Sequence, residues 1–175
     1  MKIVILLSLF AITSIFGQIR LTETGALAGA GYISGRSPAV FSFGSGFYVR
    51  FDDDNTGDIV YEFAALYAQD ADRFLPEDRR GRYYPFVRGV QGGMVIERQI
   101  TGVLSMTGSG SVLLMNDRTF SDVNEWGWGL SISGGGRLYI ESTNVVLSAS
   151  MAYAITMQAT SPGYRLFFIS AGYRF

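Results

Sequence analysis

The sequence contains no cysteine and no histidine. Without cysteine there is no disulfide framework, no thiolate metal site and no lipid carried on an N-terminal cysteine. Without histidine, the usual near-neutral general base is missing. The only lysine is Lys2, so every other cationic side chain is an arginine. A serine nucleophile would need an alternative base, and beyond the N-terminus no lysine is there to act as one. Charge is sparse, at 17% of residues, where soluble domains carry roughly 25%. The formal net charge of −1 gives no reason to expect nucleic acid as a partner. No internal apolar run reaches the ~18 residues that a helical membrane span requires.

What remains is apolar, aromatic and rich in glycine. Hydrophobic residues make up 48% of the 175, aromatics 14%, and there are 22 glycines. The N-terminus reads as an export signal. Met1 and Lys2 open it, Ile3 to Phe16 is apolar apart from Ser8, Thr13 and Ser14, and Gly17 precedes the polar change. The expected organisation is a signal peptide over 1–17, removed near Gly17–Gln18, and one domain over 18–175. A buried N-terminal strand or helix is the other reading of that stretch.

From there on, apolar residues alternate with period two, the signature of strands. Val145, Leu147, Ala149, Met151, Tyr153, Ile155 and Met157 share one parity, opposite Ser148, Ser150, Ala152 and Ala154. Trp126, Trp128, Leu130, Ile132, Leu138 and Ile140 alternate with Gly127, Gly129, Ser131, Ser133, Arg137 and Tyr139. Phe41, Phe43, Phe47, Val49 and Phe51 alternate with Ser42, Gly44, Gly46, Tyr48 and Arg50. In a soluble sandwich the second face would meet water and carry Lys and Glu. Here it is Gly, Ser and Ala, which suits a crowded interior. The pattern therefore predicts bulky residues facing lipid and small polar ones filling a narrow lumen.

Eight strands are expected, at 23–33, 39–51, 58–68, 86–97, 100–115, 125–141, 144–158 and 164–175, closing into an all-β antiparallel transmembrane barrel. The parity of the first is undecided, Arg88 falls on the apolar face of the fourth, and Val103 and Leu113 blur the fifth. Turns Asp52–Asp58, Glu97–Gln99 and Ser142–Thr143 fall on one side. The longer connections Ser34–Pro38, Gln69–Pro85, Asn116–Asn124 and Ala159–Gly163 fall on the other, which is placed outside the cell. Trp126 and Trp128 then mark the outer membrane interface, and Phe51, Tyr173 and Phe175 the inner one.

The ending Phe167-Phe168-Ile169-Ser170-Ala171-Gly172-Tyr173-Arg174-Phe175 resembles the C-terminal signature of bacterial outer-membrane barrels, which stop on an aromatic after alternating apolar positions. The resemblance implies insertion by the barrel-assembly machinery and residence in the outer membrane of a Gram-negative envelope, among its lipids and lipopolysaccharide. By size and strand count the chain is similar to the OmpA/OmpX-type barrels over about residues 20–175. Enzymes of this architecture, such as lipid A deacylases, palmitoyltransferases, phospholipases and proteases, rely on histidine, so the expectation is a protein that is not an enzyme.

Other motifs are weak. Asp52-Asp53-Asp54-Asn55-Thr56-Gly57-Asp58 has oxygen ligands but lacks the spacing and terminal Glu of an EF-hand loop, and reads as a turn. Gly108-Ser109-Gly110 and Gly134-Gly135-Gly136 lack the context of phosphate loops. No metal and no cofactor are expected.

The inward polar set is Tyr48, Arg50, Glu62, Gln91, Arg137, Tyr139, Glu141 and Arg174. Buried charge needs partners, so Arg50, Arg137 and Arg174 are expected to pair with Glu62, Glu141 and, as a further candidate, Glu23. Such a network is either a plug or a gated ion path. In the long loop, Arg79, Arg80 and Arg82 suit lipopolysaccharide phosphates or an acidic extracellular partner; a solvated, self-paired cluster is the plainer reading. Two functions stay open: a structural or adhesin-like surface protein with a filled lumen, and a small porin-like channel or transporter.

Overall fold

The computed structural model describes residues 19–35, 38–53, 59–74, 84–119, 124–140, 142–158 and 161–175. Eight strands follow one another around a closed antiparallel barrel: β1 (Ile19–Ser34), β2 (Val40–Asp53), β3 (Ile59–Asp70), β4 (Phe86–Gln99), β5 (Leu104–Arg118), β6 (Glu125–Ile140), β7 (Val145–Thr156) and β8 (Gly163–Arg174). β1 closes on β8, so no strand edge is left unpaired. A short 3-10 turn, Ala71–Phe74, follows β3. The strands run from 12 to 16 residues, longer than the ~9–11 that a tilted strand needs to cross a bilayer.

The start of β1, the end of β8 and the strand ends facing one another at β2–β3, β4–β5 and β6–β7 lie at one end of the barrel, here the terminal end; the strand ends at β1–β2, β3–β4, β5–β6 and β7–β8 define the loop end. The expected signal segment 1–17, the turn residues 54–58 and Glu141 lie outside the described residues, as do Arg79, Arg80 and Arg82.

The alternation is inverted relative to a soluble protein. Phe47, Phe63, Met94, Ile132, Met151 and Ile169 point outward and are exposed, while their small neighbours face inward. The lumen has two halves of different character. Toward the loop end Ile33, Leu66, Val87, Leu113, Met115, Tyr164, Leu166 and Phe168 form one apolar cluster. Leu113, which blurs the sequence pattern of β5, is an inward member of it. The terminal half is charged.

Two strands depart from the expected boundaries. β1 carries a bulge between Leu21 and Glu23. The extra residue reverses the parity there, so Leu21 is exposed while Glu23, two positions on, is buried inside. No strict alternation describes both; over 23–33, where the register is regular, the parity is not legible because Gly and Ala occupy both faces. The turn expected at Glu97–Gln99 is instead strand: β4 continues to Gln99, β5 begins at Leu104, and Thr101 and Leu104 exchange backbone hydrogen bonds across the turn.

Candidate functional site

Six strands contribute to a charged cluster in the terminal half of the lumen. Glu23 comes from β1, Tyr48 and Arg50 from β2, Glu62 from β3, Glu97 from β4, Ser105 from β5, and Arg137 and Tyr139 from β6. Arg50 donates through Nε to Glu62 Oε2 at 2.7 Å and through Nη1 to Glu97 Oε2 at 3.5 Å. Arg137 reaches across the lumen and donates to both Glu23 and Glu97. Its side chain is only 3% exposed and that of Glu23 4%. Glu97 also accepts from the hydroxyls of Tyr139 and, at 2.7 Å, Ser105. Tyr48 donates to Glu23 Oε1 at 2.6 Å.

Electrostatically the cluster sets three carboxylates, Glu23, Glu62 and Glu97, against two guanidiniums, Arg50 and Arg137. Each guanidinium also lies over a tyrosine, Arg50 at 5.5 Å from the centre of Tyr48 and Arg137 at 5.4 Å from that of Tyr139. A carboxylate in a confined space is tolerated when its charge and lone pairs are both met, and here hydroxyls take what the arginines leave. Arg174 stands exposed at the mouth, 5.6 Å from the Tyr139 ring, and adds a third cation to the vestibule. Glu141, one of the carboxylates expected in this network, is not among the described residues.

Above the charges, Gln91 Oε1 accepts from Ser131 at 2.9 Å and Tyr164 at 3.0 Å, and Ser109 and Ser133 share a bond of 2.7 Å. A cavity of about 70 Å³ lies beside them. Below the charges a vestibule of about 490 Å³ opens at the terminal end, lined by Arg50, Glu97, Arg137, Tyr139 and Arg174 among others.

Glycine makes the cluster possible at two positions. A Cβ on Gly25 would lie 2.6 Å from the Tyr48 ring, and one on Gly172 would lie 2.3 Å from its hydroxyl oxygen. Gly172→Val is therefore expected to push Tyr48 off Glu23 and to lower stability by about 1–3 kcal/mol, as other overpacked sites do. Denaturant titration of the refolded protein measures it, and an unchanged midpoint would show that Tyr48 has another place to go.

The geometry admits comparison with known barrels. The sequence matches no protein-family model and no curated protein. Among solved structures, Neisserial surface protein A superposes with a TM-score of 0.71 at 9% identity, covering 87% of this chain and 96% of that one. The N-terminal β-barrel domain of Pseudomonas aeruginosa OprF gives 0.58 at 14% identity, covering 90% and 100%. Ail, the attachment invasion locus protein of Yersinia pestis, solved with the heparin analogue sucrose octasulfate, gives 0.56 at 15% identity, covering 89% and 100%. The chain has the fold of the small outer-membrane barrels.

Within that barrel fold, the residues named from the sequence occupy distinct places. Tyr48, Arg50, Glu62, Arg137 and Tyr139 converge in the terminal half, and Gln91 sits higher in the hydroxyl layer. Trp126 and Trp128 are exposed on the outward face at the loop end, and Tyr173 and Phe175 at the terminal end, their rings 5.5 Å apart. Arg88 is outward too, near the start of β4, with Nε donating to Asn116 Oδ1 at 3.0 Å. The sequence reading missed Glu97, the acceptor for both buried arginines, by assigning it to a turn. Its parity with Val95 was the available signal, since Val95 is buried and odd-numbered positions of β4 face inward.

Proposed function

We propose that the mature chain is a non-enzymatic outer-membrane barrel with a plugged lumen, acting as a structural or adhesin-like surface protein. The observation that carries this is the double filling of the lumen. An apolar cluster occupies the loop half and an ion-paired cluster the terminal half. A barrel of eight strands is just wide enough for side chains to fill it. On this reading residues 1–17 are removed on export through the periplasm, and residues 18–175 form the barrel. The barrel-assembly machinery inserts it with the loop end outward. Outer-membrane lipids and lipopolysaccharide meet its belt, and Arg79, Arg80 and Arg82 are the candidate contact for an extracellular partner with acidic or phosphate groups. Trp126, Trp128, Tyr173 and Phe175 would then sit at the two membrane interfaces.

The channel reading has one observation in its favour: the vestibule of about 490 Å³ reaches up to Arg50, Glu97 and Arg137. Planar-bilayer conductance of the refolded mature protein separates the two, with heat-dependent gel mobility reporting the folded state. A folded barrel without discrete current steps is expected. Reproducible steps that change in Arg50→Gln would hand the function to the channel.

A further inference from the structure

A groove of about 1090 Å³ lies outside the lumen, on the outward face of β4, β5 and β6. Met94 and Ile96 of β4 form one wall and Leu130 and Ile132 of β6 the other. The floor is β5, where Gly108 and Gly110 lie between Met106 and Val112. A Cβ on either glycine would meet nothing within 4 Å, and neither has a positive φ. Neither the packing of the barrel nor the backbone calls for glycine there. Glycine in a strand interior costs stability and often marks a close approach by something else.

The groove ends in a cation. Arg98, directly across from Met106, lines its terminal end and is exposed. Among the described residues it takes part in no ion pair. An apolar trough closed by one free guanidinium complements an anionic amphiphile, whose tail takes the trough and whose phosphate takes the arginine. The end at which Arg98 stands selects the leaflet. Lipopolysaccharide would bring its phosphates to the loop end, whereas a phospholipid of the periplasmic leaflet brings its phosphate to the terminal end.

We propose that this groove binds one anionic phospholipid of the periplasmic leaflet, its acyl chain over Gly108 and Gly110 and its phosphate at Arg98. The proposal rests on the membrane reading above. The test is to refold the mature chain into vesicles of phosphatidylethanolamine and phosphatidylglycerol, extract it gently and weigh it by native mass spectrometry. Wild type is expected to retain phosphatidylglycerol in preference to phosphatidylethanolamine. Arg98→Gln and the double variant Gly108→Leu/Gly110→Leu should each retain several-fold less. The leucines add side chains into open space, and heat-dependent mobility verifies that every variant is folded. Equal retention in all three proteins, or retention without preference for the anionic lipid, overturns the site. A mass of two barrels that the leucines abolish would instead make the groove a seat for a second copy, and overturns it also. A wild-type chain that folds but does not enter the vesicles removes the membrane reading itself, and the lipid site with it.

Discussion

Arg137→Leu should be the most damaging substitution in the lumen, lowering stability by about 3–5 kcal/mol, the range for breaking a buried ion pair from one side. The loss comes from what stays behind. Glu23 keeps only the Tyr48 hydroxyl at 2.6 Å, and Glu97 keeps a second guanidinium no nearer than 3.5 Å. Two carboxylates are then held in a confined space with their main cation gone. The unfolding midpoint in denaturant, read from gel mobility of protein refolded in vesicles, measures this. The triple variant Glu23→Gln/Glu97→Gln/Arg137→Leu should recover much of the loss, because no uncompensated charge remains. A single variant that unfolds within about 0.5 kcal/mol of wild type would mean that the cluster is solvated through the vestibule, because surface pairs are worth that little. Conductance should stay absent in Arg137→Leu, since Leu113, Met115, Tyr164 and Leu166 still close the loop half.

Met151→Arg is expected to destabilise the barrel in vesicles by about 2–4 kcal/mol, the cost of a cation on the lipid face at bilayer mid-depth. Met151 lies midway along β7, points outward and is 67% exposed. On a water-facing surface the same change would fall within about 0.5 kcal/mol. Met151→Leu, which keeps the face apolar, should be near neutral. The comparison separates architecture from environment: a barrel that tolerates Met151→Arg as well as Met151→Leu in vesicles would still be a barrel, but its belt would not be in hydrocarbon.

The sequence made different parts of this legible to different degrees. A strand with one uniform face, such as β7, shows its inside and outside directly, because the outward residues Leu147, Met151, Tyr153 and Ile155 are bulky while the inward Ser148, Ser150, Ala152 and Ala154 are small. β1 does not, because Gly and Ala occupy both of its faces from Gly25 to Gly31, and a bulge shifts the alternation before Glu23. The closing pair of β1 with β8 joins positions such as Glu23 and Arg174 at opposite ends of the chain, and no local pattern records it.

The lumen divides along the same line. Arg50 and Glu62 are directly opposed neighbours on β2 and β3, and local parity already places both inward. Arg137 meets Glu23 and Glu97 from strands that are not adjacent to its own. Parity can place Arg137 and Glu97 inward but carries no information on what lies across the barrel. The apolar filling of the loop half is similar: Leu66, Leu113 and Phe168 look like exceptions within their strands and become a cluster only when the sheet closes. The sequence by itself determined the class of fold, the inverted alternation and the absence of histidine chemistry, because those depend on residue type and on a period of two. The partners across the lumen, the register reversal at Leu21 and the outward groove were decided by closure, which brings residues together around a circumference that the linear order does not describe.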